Sequence, residues 1–363
     1  MNILRQWIQR LIAPIDPILM LLTGILFIFA FLAVYSASPE RADNQLLNTL
    51  VALLVMRVMA QIPPQRLMQL APPIFIGGVF LLICVALFGD ISKGARRWLN
   101  VGFMRIQPSE LLKIAMPLML AWYFQKYEAH MRLRDFGIAA ILLMIPTALI
   151  ARQPDLGTAI LVFAAGFYVI FFAGLPWKII IGLVVGALAS APVAWTMLHD
   201  YQRHRILTLL DPETDPLGKG FHIIQSTIAI GSGGFFGKGW GQGTQTQLEF
   251  IPERHTDFIL AVLSEELGLL GNLFLLTIYA MLIGRGLMIA ANAATLFSRL
   301  MAGAISMIFF TYAFVNMGMV SGILPVVGVP LPFMSYGGTA LVTLSIGIGI
   351  LMSIHRNRML LQK

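Results

Sequence analysis

Long apolar runs separated by short polar segments set the pattern of this chain. Ten such runs are long enough to form helices, and they lie near 17–37, 46–62, 73–89, 108–125, 136–152, 156–173, 177–198, 257–284, 300–321 and 337–354. A helix of about 20 apolar residues spans the hydrocarbon core of a bilayer. The pattern therefore predicts an all-α polytopic membrane protein with about ten transmembrane helices.

Composition supports this fold class. Of the 363 residues, 58% are hydrophobic and 12% are charged, whereas soluble domains carry about 25% charged residues. Lipid must therefore be the solvent for most of the surface. The run 17–37 is too long for a signal-peptide core and is interpreted as an uncleaved helix. We expect a single transmembrane domain, 1–363, with one large extracytoplasmic loop, 199–256, between helices 7 and 8, and an amphipathic helix near 222–230.

Basic residues indicate the orientation. The formal net charge is +8. If both termini are cytoplasmic, the inside loops fit the positive-inside rule, since they hold Arg66, Lys126, Arg132, Arg134, Lys178, Arg285, Arg299, Arg356, Arg358 and Lys363. Membrane anchoring explains most of this excess, and we expect no nucleic-acid partner. The short outer loop 90–107 opposes the rule with Lys93, Arg96, Arg97 and Arg105. An anionic ligand at the outer face would be a sufficient reason for these four residues.

Few acids lie within or beside the apolar runs, where each is costly and indicates a functional role by default. They are Glu110, Asp155, Asp257, Glu265 and Glu266. Asp257 stands where the eighth helix begins. It could cap that helix, or it could act as a general base at the outer membrane surface. Position alone leaves both alternatives open.

Two further acids have local partners. Glu110 and Lys113 lie three residues apart on the fourth helix and share a face. They could neutralise each other inside the bundle, or form the polar floor of a cavity in which Lys113 meets a phosphate. Asp155 follows Gln153 and Pro154, and we expect it to cap the sixth helix.

The glycine-rich stretch 231–244 resembles a nucleotide-binding loop only superficially. It lacks the required glycine spacing and the Ser or Thr after Lys238, so a loop whose backbone approaches another segment closely is the better interpretation. The sequence contains no metal-ligand spacing, and no cofactor is certain. His255 and Asp257 could share a hard divalent cation, Mg²⁺ or Mn²⁺. We find no internal repeat of the kind that indicates a secondary transporter.

The segment 322–338, GILPVVGVPLPFMSYGG, resembles the signature of the SEDS (shape, elongation, division, sporulation) family. Further motifs in the same order extend the resemblance over nearly the whole chain: KGARRWL at 93–99, QPSE at 107–110, QPDLGT at 153–158, HDYQRHR at 199–205, DPE at 211–213, QS at 225–226 and PERHTDF at 252–258. The form of the last motif is more similar to RodA-type, elongation members than to FtsW-type members.

The resemblance implies a ten-helix peptidoglycan glycosyltransferase of the bacterial cytoplasmic (inner) membrane. It implies polymerisation of lipid II into undecaprenyl-diphosphate-linked glycan during cell elongation. It also implies a class B penicillin-binding protein as transpeptidase partner, beside other membrane proteins of the elongation complex. The essential carboxylate of the family maps onto Asp257, which favours the general-base alternative.

Under this hypothesis, Asp257 takes the proton from the acceptor's 4-hydroxyl and undecaprenyl diphosphate leaves. A diphosphate is a good leaving group once its negative charge is neutralised. Protonation of the leaving group by a second carboxylic acid, as in glycosidases, is therefore not required. Candidates to hold the diphosphate are Lys113, Arg96, Arg97, Arg203 and Arg205. Trp98 could stack on a sugar or anchor the interface. The expected substrate-binding set is completed by Glu110, Asp155, Glu253, His255 and Ser335.

Two other functions compete with this hypothesis. A lipid II flippase would need its polar residues near the membrane midplane, whereas here they gather towards the outer ends of helices. A non-catalytic scaffold for a penicillin-binding protein would leave the basic residues of 90–107 unexplained.

Overall fold

The computed structural model describes residues 15–92, 95–100, 105–197, 200–212, 219–251 and 253–361. Its α-helices are α1 (Pro17–Ala37), α2 (Ala42–Gln61), α3 (Pro64–Phe88), α4 (Pro108–Lys126), α5 (Leu133–Ala151), α6 (Leu156–Phe172), α7 (Trp177–Met197), α8 (Asp200–Leu210), α9 (Lys219–Ser232), α10 (Thr244–Gln247), α11 (Ile259–Ala291), α12 (Leu296–Val320) and α13 (Gly338–Leu361). Three short strands, β1 (Asp90–Ser92), β2 (Ala95–Asn100) and β3 (Arg105–Ile106), lie between α3 and α4.

Each predicted apolar run coincides with a helix, and the helix predicted near 222–230 is α9. Among the described residues, six helices are long and apolar enough to cross a membrane, namely α1, α3, α5, α11, α12 and α13. Helix α6 and most of α7 are shorter apolar helices. The mainly helical membrane fold is thus confirmed, while the crossing of all ten helices and the outer position of 199–256 stay predictions.

Helix α12 lies at the centre of the bundle and packs against α4, α6 and α11. The irregular segment 321–337, which joins α12 to α13, enters this core. The ring of Phe333 lies 5.1 Å from that of Phe27 in α1 and 5.5 Å from that of Phe309 in α12, between ring centroids. Tyr279 of α11 donates a hydrogen bond of 2.6 Å to the carbonyl of Pro332. The segment is therefore an ordered part of the interior.

Helix α11 is broken at Gly268, whose φ of 65° and ψ of −158° are not helical. The glycine-rich segment fills the break. The amides of Lys238 and Gly239 each donate a hydrogen bond of 3.0 Å, to the carbonyls of Glu265 and Glu266 respectively, and the amide of Leu269 donates one of 2.9 Å to Gly234. A Cβ at Gly237 would lie 2.1 Å from the carbonyl oxygen of Glu266. The predicted close backbone approach is confirmed, and it explains the glycines.

The two acids beside this break hold segments together. The buried Glu265 carboxylate accepts hydrogen bonds from Lys238 Nζ at 2.8 Å, from the Gln245 amide at 3.0 Å and from the Thr246 amide at 3.2 Å. Glu266 accepts one from the Ser36 hydroxyl of α1. Hydrogen bonds of this kind offset the desolvation of the carboxylates.

The segment 90–106 contains a small antiparallel sheet in the order β1-β2-β3, which the apolar pattern did not predict. Asp90 pairs with Trp98, and Leu99 pairs with Ile106. Strand pairing satisfies backbone groups that a short irregular loop would leave unpaired.

A charged cluster joins three helices at one end of the bundle. Asp16 caps α1 by accepting hydrogen bonds from the amides of Ile18 and Leu19, each 3.0 Å long. Its other carboxylate oxygen accepts a 2.6 Å hydrogen bond from Arg285 of α11 and lies 3.6 Å from Nε2 of His355 in α13. Because Asp16 is buried, removal of its partner would leave an uncompensated charge.

We expect Gly268→Ala to destabilise the fold by about 1–3 kcal/mol or more, because an L-residue is strained at this positive φ. Its Cβ would also lie 2.3 Å from the Gly237 nitrogen. Gly284→Ala in the same helix is the matched control, since no atom lies within 4 Å of the added Cβ. Thermal unfolding in detergent should show a lower midpoint for the first variant only. Equal midpoints would contradict the interpretation of the break.

Candidate active site

A cleft of about 720 Å³ opens at the end of the bundle where the sheet lies. Its walls come from the first two turns of α4, α6 and α13, from α9, from strand β2, and from the segments 253–257 and 326–337. The polar side chains on these walls are Arg97, Gln107, Glu110, Lys113, Asp155, Thr158, His222, Glu253, Thr256, Asp257, Ser335, Tyr336 and Thr339. Most of the predicted site residues thus meet in one cavity.

Asp257 lies at the wall of this cleft, half-buried. Helix α11 begins at Ile259 with Phe258 at the N-cap position, so Asp257 precedes the cap by one residue. Its Oδ2 would lie 3.4 Å from a Cβ added at Gly328, which has a φ of 72°. The absence of a side chain at Gly328 therefore leaves room beside the carboxylate.

The backbone around Asp257 is fixed by the segment 321–337. Asn316, fully buried in α12, donates hydrogen bonds of 2.8 Å to the carbonyls of both Asp257 and Val329. The Ser335 hydroxyl donates one of 2.6 Å to the Thr256 carbonyl and accepts one of 2.8 Å from the Leu331 amide. The Asn316 amide and the Ser335 hydroxyl thus brace the turn that carries the carboxylate.

Lys113 and Glu110 form an ion pair of 2.6 Å at the cleft wall. Lys113 Nζ also lies 5.2 Å from the ring centroid of the buried Tyr312, where the ring face attracts a cation. The pair is neutralised internally and also borders the cavity, while the contact of Lys113 with a phosphate stays a prediction.

Asp155 connects three segments of the site. It caps α6 by accepting a hydrogen bond of 3.2 Å from the Thr158 amide, as the sequence predicted. Its Oδ2 lies 3.7 Å from Arg97 Nε and accepts a 3.4 Å hydrogen bond from Gln107. Arg97 also donates a hydrogen bond of 2.8 Å to the Pro154 carbonyl. Strand β2 is thereby tied to the start of α6.

His255 lies outside the cleft lining, edge-on to Tyr336 with ring centroids 5.8 Å apart. Burial and the positive charge of Arg41 lower the pKa of His255 below its usual range. The imidazole is therefore neutral at physiological pH, and it is suited to accept a hydrogen bond or ligate a cation rather than to neutralise a phosphate.

Four other predicted residues lie away from the cleft lining or outside what can be described. Arg96 is exposed on β2, and Trp98 of the same strand pairs with Asp90. Arg203 donates hydrogen bonds of 3.1 and 2.7 Å to the carbonyls of Trp195 and Thr196 in the last turn of α7. Arg205 belongs to α8, and its side chain is outside the described part of the chain.

Several residues of the site were not singled out from the sequence. Gln107 and Thr256 stand in quoted motifs, but nothing in their type alone indicated a role. Asn316 had a usable signal, because an amide in an apolar helix is normally paired across the bundle. No three His, Cys, Asp or Glu side chains converge as a metal centre in the described ranges.

Comparison with known proteins places this arrangement in a family. A family model described as cell cycle protein, covering FtsW, RodA and SpoVE, matches residues 13–360. The chain is 54% identical to the peptidoglycan glycosyltransferase MrdB of Escherichia coli (strain K12), over 96% of this chain and 95% of that protein. It is 36% identical to a probable peptidoglycan glycosyltransferase FtsW of Geobacter metallireducens, over 93% and 94% of the two chains.

Solved structures agree with this placement. A chain from a study of how a peptidoglycan synthase complex coordinates polymerization and crosslinking matches with a TM-score of 0.82 and 35% identity, over 94% of this chain and 98% of that one. The rod shape determining protein RodA of Thermus thermophilus matches with a TM-score of 0.72 and 29% identity, over 94% and 97% of the chains. The chain belongs to the FtsW/RodA/SpoVE family of cell cycle proteins.

Proposed function

We propose that this chain is a peptidoglycan glycosyltransferase that polymerises lipid II during cell elongation, and that Asp257 is its general base. The observation that carries the proposal is the position of Asp257. Its backbone carbonyl accepts a hydrogen bond from Asn316, and the residue lies at the wall of the 720 Å³ cleft. A protein that is 54% identical bears the name of this activity.

The proposed reaction is one displacement at the anomeric carbon of the donor. Asp257 takes the proton from the acceptor's 4-hydroxyl, and that oxygen bonds to the donor carbon. The bond from this carbon to the diphosphate oxygen breaks, and undecaprenyl diphosphate leaves with the electron pair. The cleft would face the outer side of the cytoplasmic membrane, with both termini cytoplasmic.

The charge of the cleft bears on how the diphosphate is held. Among the described lining residues, four carboxylates (Glu110, Asp155, Glu253 and Asp257) face two basic side chains, Arg97 and Lys113. Each basic group already has an acidic partner. A diphosphate would add further negative charge, so its neutralisation calls for additional cations.

A divalent cation, Mg²⁺ or Mn²⁺, fits this donor set. Mg²⁺ is commonly held by one or two carboxylates together with substrate phosphates, so a preformed cluster of protein ligands is not needed. Asp257 would be the protein ligand, and the ion would supply charge neutralisation at the leaving group.

The placement of the polar residues favours polymerisation over lipid II transport. Lys113 lies five positions after Pro108, the first residue of α4, which is about 8 Å along the helix axis. The charged lining therefore lies at one end of the bundle.

We propose a class B penicillin-binding protein as the transpeptidase partner, in line with the synthase complex that contains a similar chain.

Asp257→Asn should reduce polymerisation by about 10²–10⁴-fold, because the amide cannot accept the proton. The assay is glycan formation from lipid II by the purified protein with its partner. Glu249→Gln is the matched control, since this exposed carboxylate pairs with Arg254 outside the cleft lining. Normal glycan formation by Asp257→Asn, with unfolding midpoints equal to wild type, would falsify the general-base proposal.

Asn316→Ala should lower the polymerisation rate by about tenfold or more, because a small displacement of a catalytic group has a large effect on rate. It should also lower stability by about 1–3 kcal/mol, since two buried carbonyls lose their donor. Asn292→Ala is the matched control: its amide donates only to the Met288 carbonyl at the exposed end of α11. Equal rates for both variants would contradict the bracing role.

Removal of divalent cations with EDTA should abolish polymerisation, and Mg²⁺ or Mn²⁺ should restore it. Folding should be unchanged, because the metal binds with the substrate. Unfolding midpoints with and without EDTA give the control. Full activity in EDTA would contradict the metal proposal and leave the base proposal standing.

A further inference from the structure

A groove of about 350 Å³ opens between α1, α2 and α13 at the end of the bundle opposite the cleft. Helix α2 begins beside the cleft, where the Arg41 guanidinium lies 5.4 Å from the ring centroid of Tyr336. Arg57 lies 16 positions after Arg41, near the other end of α2. At a rise of 1.5 Å per residue, the two residues are about 24 Å apart along the helix axis. The groove is lined by Ile15, Met20, Leu53, Leu54, Met56, Arg57 and Met352.

The groove faces lipid. On the outward side of α2, Leu47, Leu50, Leu54 and Val58 are between 52% and 64% exposed. In a protein that spans a membrane, such a stripe contacts acyl chains. Leu54 belongs both to this stripe and to the groove lining, so the groove is continuous with the lipid-facing surface.

Arg57 is the one polar side chain among the groove residues. Its Nη1 is buried and has no hydrogen-bond partner. A guanidinium group presents five donors in a planar fork that matches phosphate oxygens. A buried donor without a partner is costly, so a ligand oxygen at this position would be stabilising.

The surroundings of Arg57 are positive. Arg356 of α13 places a second positive charge near Arg57. Asp16, which follows the lining residue Ile15 in the chain, is already bonded to Arg285. An anion would therefore be attracted to the polar mouth of the groove, and acyl chains to its apolar walls.

We propose that this groove binds an anionic diacyl phospholipid, with the phosphate on Arg57 and one acyl chain against Leu53, Leu54 and Met352. The lipid belongs to the leaflet opposite the cleft. This site is independent of the proposed chemistry, and it gives the protein a lipid dependence separate from its substrate.

The amino-terminal segment 1–14 is a less suitable occupant. The groove begins at Ile15, so the segment is close along the chain, but its charged residues are Arg5 and Arg10 and it contains no acid. It therefore has no group that could neutralise Arg57.

The test measures the affinity of the purified full-length protein for phosphatidylglycerol and phosphatidylcholine in detergent, by native mass spectrometry. Arg57→Gln should reduce the preference for phosphatidylglycerol by about tenfold, the effect of a charge-assisted phosphate contact. Arg57→Lys should keep part of that preference. Arg66→Gln, which removes an exposed charge of α3 outside the groove lining, should reduce it by less than about twofold.

Several outcomes would overturn the proposal. Equal losses for Arg57→Gln and Arg66→Gln would show diffuse attraction to a basic surface. Displacement of phosphatidylglycerol by millimolar inorganic phosphate would show a phosphate site without acyl-chain binding. Efficient disulfide formation between Trp7→Cys and Leu54→Cys, in a Cys84→Ala background, would place the amino-terminal segment in the groove.

Discussion

Irregular backbone inside a membrane protein has to find its hydrogen bonds within the protein, because the bilayer core offers none. Two irregular segments meet this constraint here. The glycine-rich segment donates its amides to the broken turn of α11, and the segment 321–337 is held by Asn316, Ser335 and Tyr279. The cleft lies where the second segment meets the turn that carries Asp257. The shape of the cleft therefore depends on the same hydrogen bonds that satisfy the irregular backbone inside the bilayer.

Seven acids of the chain fall into two groups under this constraint. Asp16, Glu265 and Glu266 are buried and fully engaged with partners from distant segments. Glu110, Asp155, Glu253 and Asp257 border the cleft. The first group shows that a carboxylate among apolar helices is not by itself a catalytic residue. What distinguishes the second group is a shared cavity, and within it Asn316 holds the backbone of Asp257 at the cleft wall.

Much of the fold could be predicted from the sequence, because the period and length of apolar runs report helices directly. The capping role of Asp155 and the Glu110–Lys113 pair followed from local spacing. The small sheet at 90–106 did not, since strands of two to six residues with mixed polarity leave no clear alternation. Arg203 and Trp98 had the chemical types expected of a substrate site, but side-chain direction depends on tertiary packing. Asn316 donates a hydrogen bond to Asp257, 59 positions earlier in the chain. Local sequence spacing cannot predict a contact over that separation.

The bond between Asp16 and Arg285 joins residues 269 positions apart. During synthesis at about 5–20 residues per second, the first helix enters the membrane on the order of ten to fifty seconds before its partner is made. During that time the Asp16 carboxylate at the interface has its own helix amides and water as donors. Its ion pair with Arg285 cannot form until α11 has been inserted, so the bundle closes late, around a contact between its earliest and one of its latest segments.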